Sequence, residues 1–112
     1  MAYDERLAAR VRALLHGPIV ERRMMGGLCF MAGDHMACGV VGEALMVRIG
    51  KVPIPDEAHV RPLEMGGRRT AGFILVDPPG VRTPAGLERW VERGLAVAAS
   101  LPPKQPQASS RR

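Results

Sequence analysis

Two cysteines are the residues of this 112-residue chain whose type and spacing could most readily do chemistry. Cys29 and Cys38 flank Gly33-Asp34, which favours a two-residue hairpin loop because glycine tolerates positive φ and aspartate often adopts the left-handed conformation. Closing the hairpin at that loop places Cys29 directly opposite Cys38 on neighbouring antiparallel strands, where side chains approach each other closely. Such a pair could form a reversible disulfide or, with His35 nearby, hold a metal ion.

A purely structural role for the two thiols competes with these chemical roles. Side chains alternate across a strand, so the same register puts Cys29 and Cys38 on a face that is otherwise apolar. Free cysteine is among the most buried residue types and packs like a small hydrophobic residue. We therefore predict that both thiols are buried in the core and bind no metal. A reversible disulfide and metal binding are the two alternatives.

Five arginines are the other group of side chains that could bind a ligand. Guanidinium groups near apolar or aromatic surface suit a phosphate, a carboxylate or an acidic protein partner. The candidates for contact with an anionic partner are Arg22, Arg23, Arg48, Arg68 and Arg69. A solvated surface is the competing interpretation. A nucleic-acid surface has weaker support, because the chain has only two phenylalanines and one tyrosine for base stacking.

The chain offers no coherent catalytic set. Serine occurs only at Ser100, Ser109 and Ser110, so no serine stands on the strand-to-helix elbow that hydrolases use. The glycine pairs Gly26-Gly27 and Gly66-Gly67 lack the Lys-Ser/Thr of a phosphate loop and are expected to form turns. These observations predict a protein that is not an enzyme and that needs no cofactor.

Hydrophobic periodicity predicts the elements that must position these side chains. Helices are expected over residues 4–16 and 84–101, each with one apolar stripe at helical spacing. Between them the pattern predicts a meander over residues 19–49 and further strands at 60–65 and 71–76. The predicted fold class is α+β: a two-layer sandwich of a largely antiparallel sheet of about five strands, with N- and C-terminal helices.

A second predicted loop, Gly42-Glu43, fixes which side chains share a face of the meander. One face is uniformly apolar and is expected beneath the helices: Cys29, Met31, Met36, Cys38, Val40, Leu45, Val47 and Ile49. The other face mixes apolar groups with glycine and an arginine. Its large apolar side chains predict an association surface, Leu28, Phe30, Val41 and Met46. A homodimer is the usual way for a small protein to bury such a surface.

One domain over residues 1–103 and a disordered basic tail over residues 104–112 are expected. The composition, with 46% hydrophobic and 24% charged residues, is ordinary for a globular domain. Much of the net charge of +5 comes from the tail residues Lys104, Arg111 and Arg112 rather than from the folded part. The absence of a signal-peptide pattern and of a membrane span, together with two cysteines, predicts a cytoplasmic protein.

The order of these segments resembles the N-terminal domain of the TfoX/Sxy competence regulators, over residues 3–103. The resemblance rests on Tyr3-Asp4-Glu5-Arg6-Leu7, Met25-Gly26-Gly27 followed by Phe30, Cys38-Gly39-Val40, Leu45-Met46-Val47-Arg48, Gly67-Arg68, Val76-Asp77-Pro78 and Trp90-Val91-Glu92-Arg93-Gly94-Leu95. Two features depart from the family pattern. Met24-Met25 stand where relatives usually have an aromatic residue, and residues 51–59 are short and proline-rich where relatives carry a longer helix. The C-terminal helical domain of the full regulators has no counterpart in this sequence.

The resemblance implies a fold and a type of role. The fold is a two-layer α+β sandwich similar to the secretion-chaperone type. Members of the family are linked to control of competence genes alongside the cyclic-AMP receptor protein. We therefore expect a cytoplasmic, non-enzymatic interaction module that binds a protein partner. Weak nucleic-acid association through the arginines is the alternative, and a thiol sensor is a third, less favoured one.

Overall fold

A computed structural model describes residues 3–24 and 26–102, and the predicted tail over 104–112 lies outside the described residues. The elements in chain order are α1 (Glu5–Leu14), β1 (Ile19–Met24), β2 (Gly27–Ala32), β3 (His35–Val41), β4 (Ala44–Arg48), β5 (Val60–Met65), β6 (Arg68–Val76), a short 3₁₀ turn (Pro78–Val81) and α2 (Pro84–Ser100). The sheet therefore has six strands where about five were expected, and the predicted helices and strands are all present.

Both helices begin at a capping side chain. The Asp4 carboxylate accepts hydrogen bonds from the backbone N–H groups of Arg6 and Leu7 at 2.8 and 3.2 Å. The Thr83 hydroxyl accepts one from the Gly86 N–H at 3.0 Å. These bonds satisfy donors that the first helical turn leaves without a partner. No helix of the described residues is long and apolar enough to cross a membrane.

The sheet is entirely antiparallel, with the strand order β1-β2-β3-β4-β6-β5. Both helices lie on one face of this sheet, and α2 packs mainly on the central strands β3 and β4. The α+β class with a helix layer and a sheet layer is thus confirmed. Strand β5, which contains Pro62, lies at one edge as predicted, and β1 lies at the other.

A bulge in β3 changes the predicted pairing between β2 and β3. The ladder begins as expected, with Met31 opposite Met36, and then shifts by one residue so that Phe30 lies opposite Cys38. The predicted pairing of Cys29 with Cys38 is therefore wrong. Side chains alternate along a strand. A one-residue shift in pairing therefore places the side chains of β2 on the sheet face opposite to the predicted one.

The bulge exchanges the two faces of β2. Leu28 and Phe30 are buried in the core beneath the helices, whereas Cys29 lies on the opposite, helix-free face of the sheet. Val41 and Met46 lie on that helix-free face as well. The four side chains expected to form one association surface are thus divided between two faces, and the prediction of a single surface is wrong.

A second, smaller apolar cluster covers the helix-free face. Its buried members are Cys29, Met36, Ala44, Met46, Leu63 and Leu75. Cys29 and Met36, and the partly buried Met31, were expected beneath the helices. The cluster packs closely because Gly39 has no side chain: a Cβ there would lie 2.9 Å from the Met46 methyl carbon.

Candidate interaction surfaces

Cys29 and Cys38 are fully buried free thiols in two different apolar clusters, on opposite faces of the sheet. Burial raises the pKa of Cys38 to about 12, with a smaller contribution from the nearby Cys29. Burial raises the pKa of Cys29 as well. The thiolate is the reactive form of cysteine, so both groups are poor nucleophiles and poor metal ligands near neutral pH. Among the described residues no group of three or more His, Cys, Asp or Glu could hold a metal ion.

The structure does not bring the five candidate arginines together. Arg22 and Arg23 lie in β1 at one edge of the sheet, and Arg68 and Arg69 begin β6 near the other edge. Neighbouring strands are about 4.8 Å apart, so β1 and β6 are separated by four spacings, or about 19 Å. Arg48 lies between them at the end of β4.

Arg48 is held by the sheet itself. Its Nε donates a hydrogen bond to the carbonyl oxygen of Met36 at 2.6 Å, and its guanidinium lies over the Phe73 ring, 4.7 Å from the ring centroid. Partial burial lowers the pKa of Arg48. A carbonyl oxygen and the negative face of an aromatic ring both stabilise a cation, so this arrangement fixes the side chain across three strands.

An open apolar groove of about 580 Å³ lies between the segment after β4 and the β5–β6 hairpin. It is lined by residues 49–54, 62 and 69–73. Val52 and Ile54 in its wall are 48% and 37% exposed, so they leave apolar surface open to solvent. The two charged residues in the lining, Lys51 and Arg69, are both cations.

Two glycines give the groove its shape. Gly50 and Gly72 have φ values of +81° and +86°, a region that glycine enters at little cost. The Gly72 carbonyl accepts hydrogen bonds from the N–H groups of Ile49 and Gly50 at 2.8 and 3.2 Å. These bonds attach the proline-rich segment to β6. The groove was not predicted from the sequence. The available signal was the alternation of Val52 and Ile54 with prolines, which keeps apolar side chains on an extended segment.

The strand β1 is the second exposed surface. Five of its six residues are exposed, and Ile19 is half-buried. Val20 and Met24 are 53% and 40% exposed. Exposed large apolar side chains on an edge strand are uncommon, because such edges are templates for pairing with another chain.

The family model of the TfoX N-terminal domain matches residues 10–98, which include all six strands, the second half of α1 and most of α2. The chain belongs to the TfoX N-terminal domain family. The comparison with curated proteins found no match, and neither did the comparison with solved structures.

Both surfaces of this TfoX N-terminal domain lie within the matched range. Met24 ends β1, and Met25 lies outside the described residues. The first residues of the proline-rich segment, 51–54, form part of one wall of the groove.

Proposed function

We propose that this TfoX N-terminal domain is a non-enzymatic regulatory module that acts by binding a protein partner in the cytoplasm. The groove beside β6 is the observation that carries the proposal. Its volume of about 580 Å³ is within the usual range for ligand-binding clefts. Covering the exposed Val52 and Ile54 would contribute about 25 cal/mol to the free energy of binding for each Å² of apolar area that a partner removes from water.

The charges of the groove indicate the chemistry of the partner. Lys51 and Arg69 suit carboxylates, and the described residues that line the groove include no acidic side chain. Arg69 has an acidic neighbour, Glu64, at 3.9 Å, but both side chains are well exposed. An ion pair of that kind contributes at most about 1 kcal/mol, so a partner carboxylate can replace it. The expected occupant is a short apolar protein segment that carries acidic residues.

Affinity purification with matched variants tests this proposal. The double variant Val52→Asp/Ile54→Asp places two charges in the groove, and Ala9→Asp places one at an exposed position of α1, away from the groove and from β1, as a control. We expect one protein to co-purify with the wild type and with Ala9→Asp and to be absent with the groove variant. Retention of that protein by the groove variant, with an unchanged circular dichroism spectrum, would contradict the proposal.

Binding to nucleic acid is the second candidate, and the exposed pairs Arg22-Arg23 and Arg68-Arg69 favour it. The separation of the two pairs, about 19 Å across the sheet, leaves each one a small patch. Binding of this kind would weaken steeply as salt rises, because phosphate contacts release counterions. Absence of DNA binding at about 50 mM salt removes this candidate, whereas a steep dependence of log affinity on log salt would favour it over a protein partner.

A further inference from the structure

Strand β1 presents a regular, unpaired edge. In the described part of the chain it pairs only with β2, and that antiparallel ladder runs without a shift through all six residues, Ile19–Met24. The outer edge is therefore equally regular. An edge strand of this kind carries a row of backbone N–H and C=O groups that another extended chain can pair with.

The side chains on the two faces of β1 differ in whether they contact the rest of the domain. Glu21 lies opposite Phe30 and so points to the helix side, where it accepts a hydrogen bond from Arg12 of α1 at 2.9 Å. Arg23 shares that side and lies over the Tyr3 ring, 6.0 Å from the centroid. The helix-free side carries Val20, Arg22 and Met24, all exposed. An added strand would therefore meet an apolar, a cationic and an apolar side chain in turn.

The charges of β1 disfavour pairing with a second copy of itself. A two-fold antiparallel pair places one residue opposite its own copy. Centring on Glu21 sets two carboxylates opposite each other, and centring on Arg22 or Arg23 sets two guanidinium groups opposite each other. Like charges directly opposite are destabilising. Centring on Val20 avoids this but pairs only three residues of each strand, so self-pairing is a poor solution for this edge.

We propose that β1 accepts an extended acidic segment of a partner protein as a seventh, antiparallel strand. The pattern of β1 specifies the segment: apolar residues opposite Met24 and Val20 and acidic residues opposite Arg22 and Arg23. Backbone hydrogen bonds would supply affinity, and these side-chain pairs would supply specificity. The inference goes beyond the groove proposal, because β1 and β5 lie five spacings apart, about 24 Å.

A synthetic peptide built to this pattern is the probe. Read antiparallel to β1, the sequence Val-Glu-Glu-Thr-Val-Val meets each requirement. Two matched peptides serve as controls: Val-Lys-Lys-Thr-Val-Val reverses the charge, and Val-Glu-Glu-Pro-Val-Val removes a ladder donor. With fluorescein labels and anisotropy as the readout, we expect the acidic peptide to bind at least tenfold more tightly than either control.

Charge reversal in the protein completes the test. Arg22→Glu should abolish the preference for the acidic peptide and bind the lysine peptide instead, whereas Arg68→Glu at the distant turn should change neither affinity. Amide shifts in an NMR titration should be largest in β1. The proposal is overturned if Arg68→Glu weakens binding as much as Arg22→Glu, if the proline peptide binds equally well, or if sedimentation shows a dimer that Arg22→Glu dissociates. The groove variant should bind the peptide normally, so the two proposals can fail separately.

Discussion

Gly94 in α2 lies so close to Ala37 in β3 that a Cβ on Gly94 would come within 2.3 Å of the Ala37 carbonyl oxygen. Ala37 is the residue that the bulge leaves without a partner in β2, since Met36 pairs with Met31 and Cys38 with Phe30. A close approach between α2 and the sheet thus occurs at the bulge. The same bulge that α2 contacts shifts the register of β2, and this shift places Phe30 in the core.

Replacing Gly94 by alanine should destabilise the domain by about 1–3 kcal/mol, because the added methyl would overlap a backbone carbonyl that has little freedom to move. Intrinsic helix propensity alone would change stability in the opposite direction, by up to about 1 kcal/mol. Urea unfolding measures the difference. The control Ala96→Gly, at an exposed position of the same helix, should lose about 1 kcal/mol. A Gly94→Ala variant at least as stable as the wild type would mean that the contact is absent.

Stability should fall at alkaline pH because of Cys38. The pKa of this thiol is raised from 9.0 to about 12 in the folded protein, so between these values the unfolded chain loses a proton that the folded chain keeps. Ionisation then favours unfolding, by up to about 1.4 kcal/mol per pH unit. Cys38→Ala should cost about 1 kcal/mol near pH 7 through a small cavity and should show a shallower decline above pH 9. Equal slopes for the two proteins would argue against deep burial.

Neither thiol should react in the native state. Cys29 and Cys38 are buried on opposite faces of the sheet, so a bulky reagent should label them only on unfolding. A mild oxidant should likewise form no bond between them, because their Cβ atoms point to opposite sides of the sheet. Mass spectrometry of native and urea-unfolded protein measures both. Rapid native labelling would restore the thiol-sensor interpretation.

Loss of the Arg48 guanidinium should weaken the helix-free face. Arg48→Met keeps an apolar stem but removes the hydrogen bond to the Met36 carbonyl and the stacking on Phe73. We expect a loss of about 1–3 kcal/mol in urea unfolding, since a partly buried carbonyl would lose a charged donor. Arg48→Lys should recover only part of it, because an ammonium cannot stack in the same way. Arg68→Met, at the exposed start of β6, is the control and should change stability by less than about 0.5 kcal/mol.

Local signals in the sequence were enough for the elements and for most of their order. Capping residues and apolar stripes placed both helices, and the loops at Gly33-Asp34 and Gly42-Glu43 placed two hairpins. The pairing of β3 with β4 was also predicted correctly, with Cys38 opposite Val47. These features depend on residues close together in the chain, so the sequence determines them without reference to the rest of the fold.

Tertiary structure decided the register of β2 and the shapes of the exposed surfaces. Leu28, Cys29, Phe30 and Met31 are all apolar, so either register buries hydrophobic side chains and the alternation rule cannot distinguish them. The bulge at Ala37, against which Gly94 packs, selects the register that puts Phe30 under the helices. The groove likewise depends on hydrogen bonds to Gly72 from residues more than twenty positions earlier in the chain. Packing between segments that are distant in the chain determines both features, and local sequence patterns do not predict such packing.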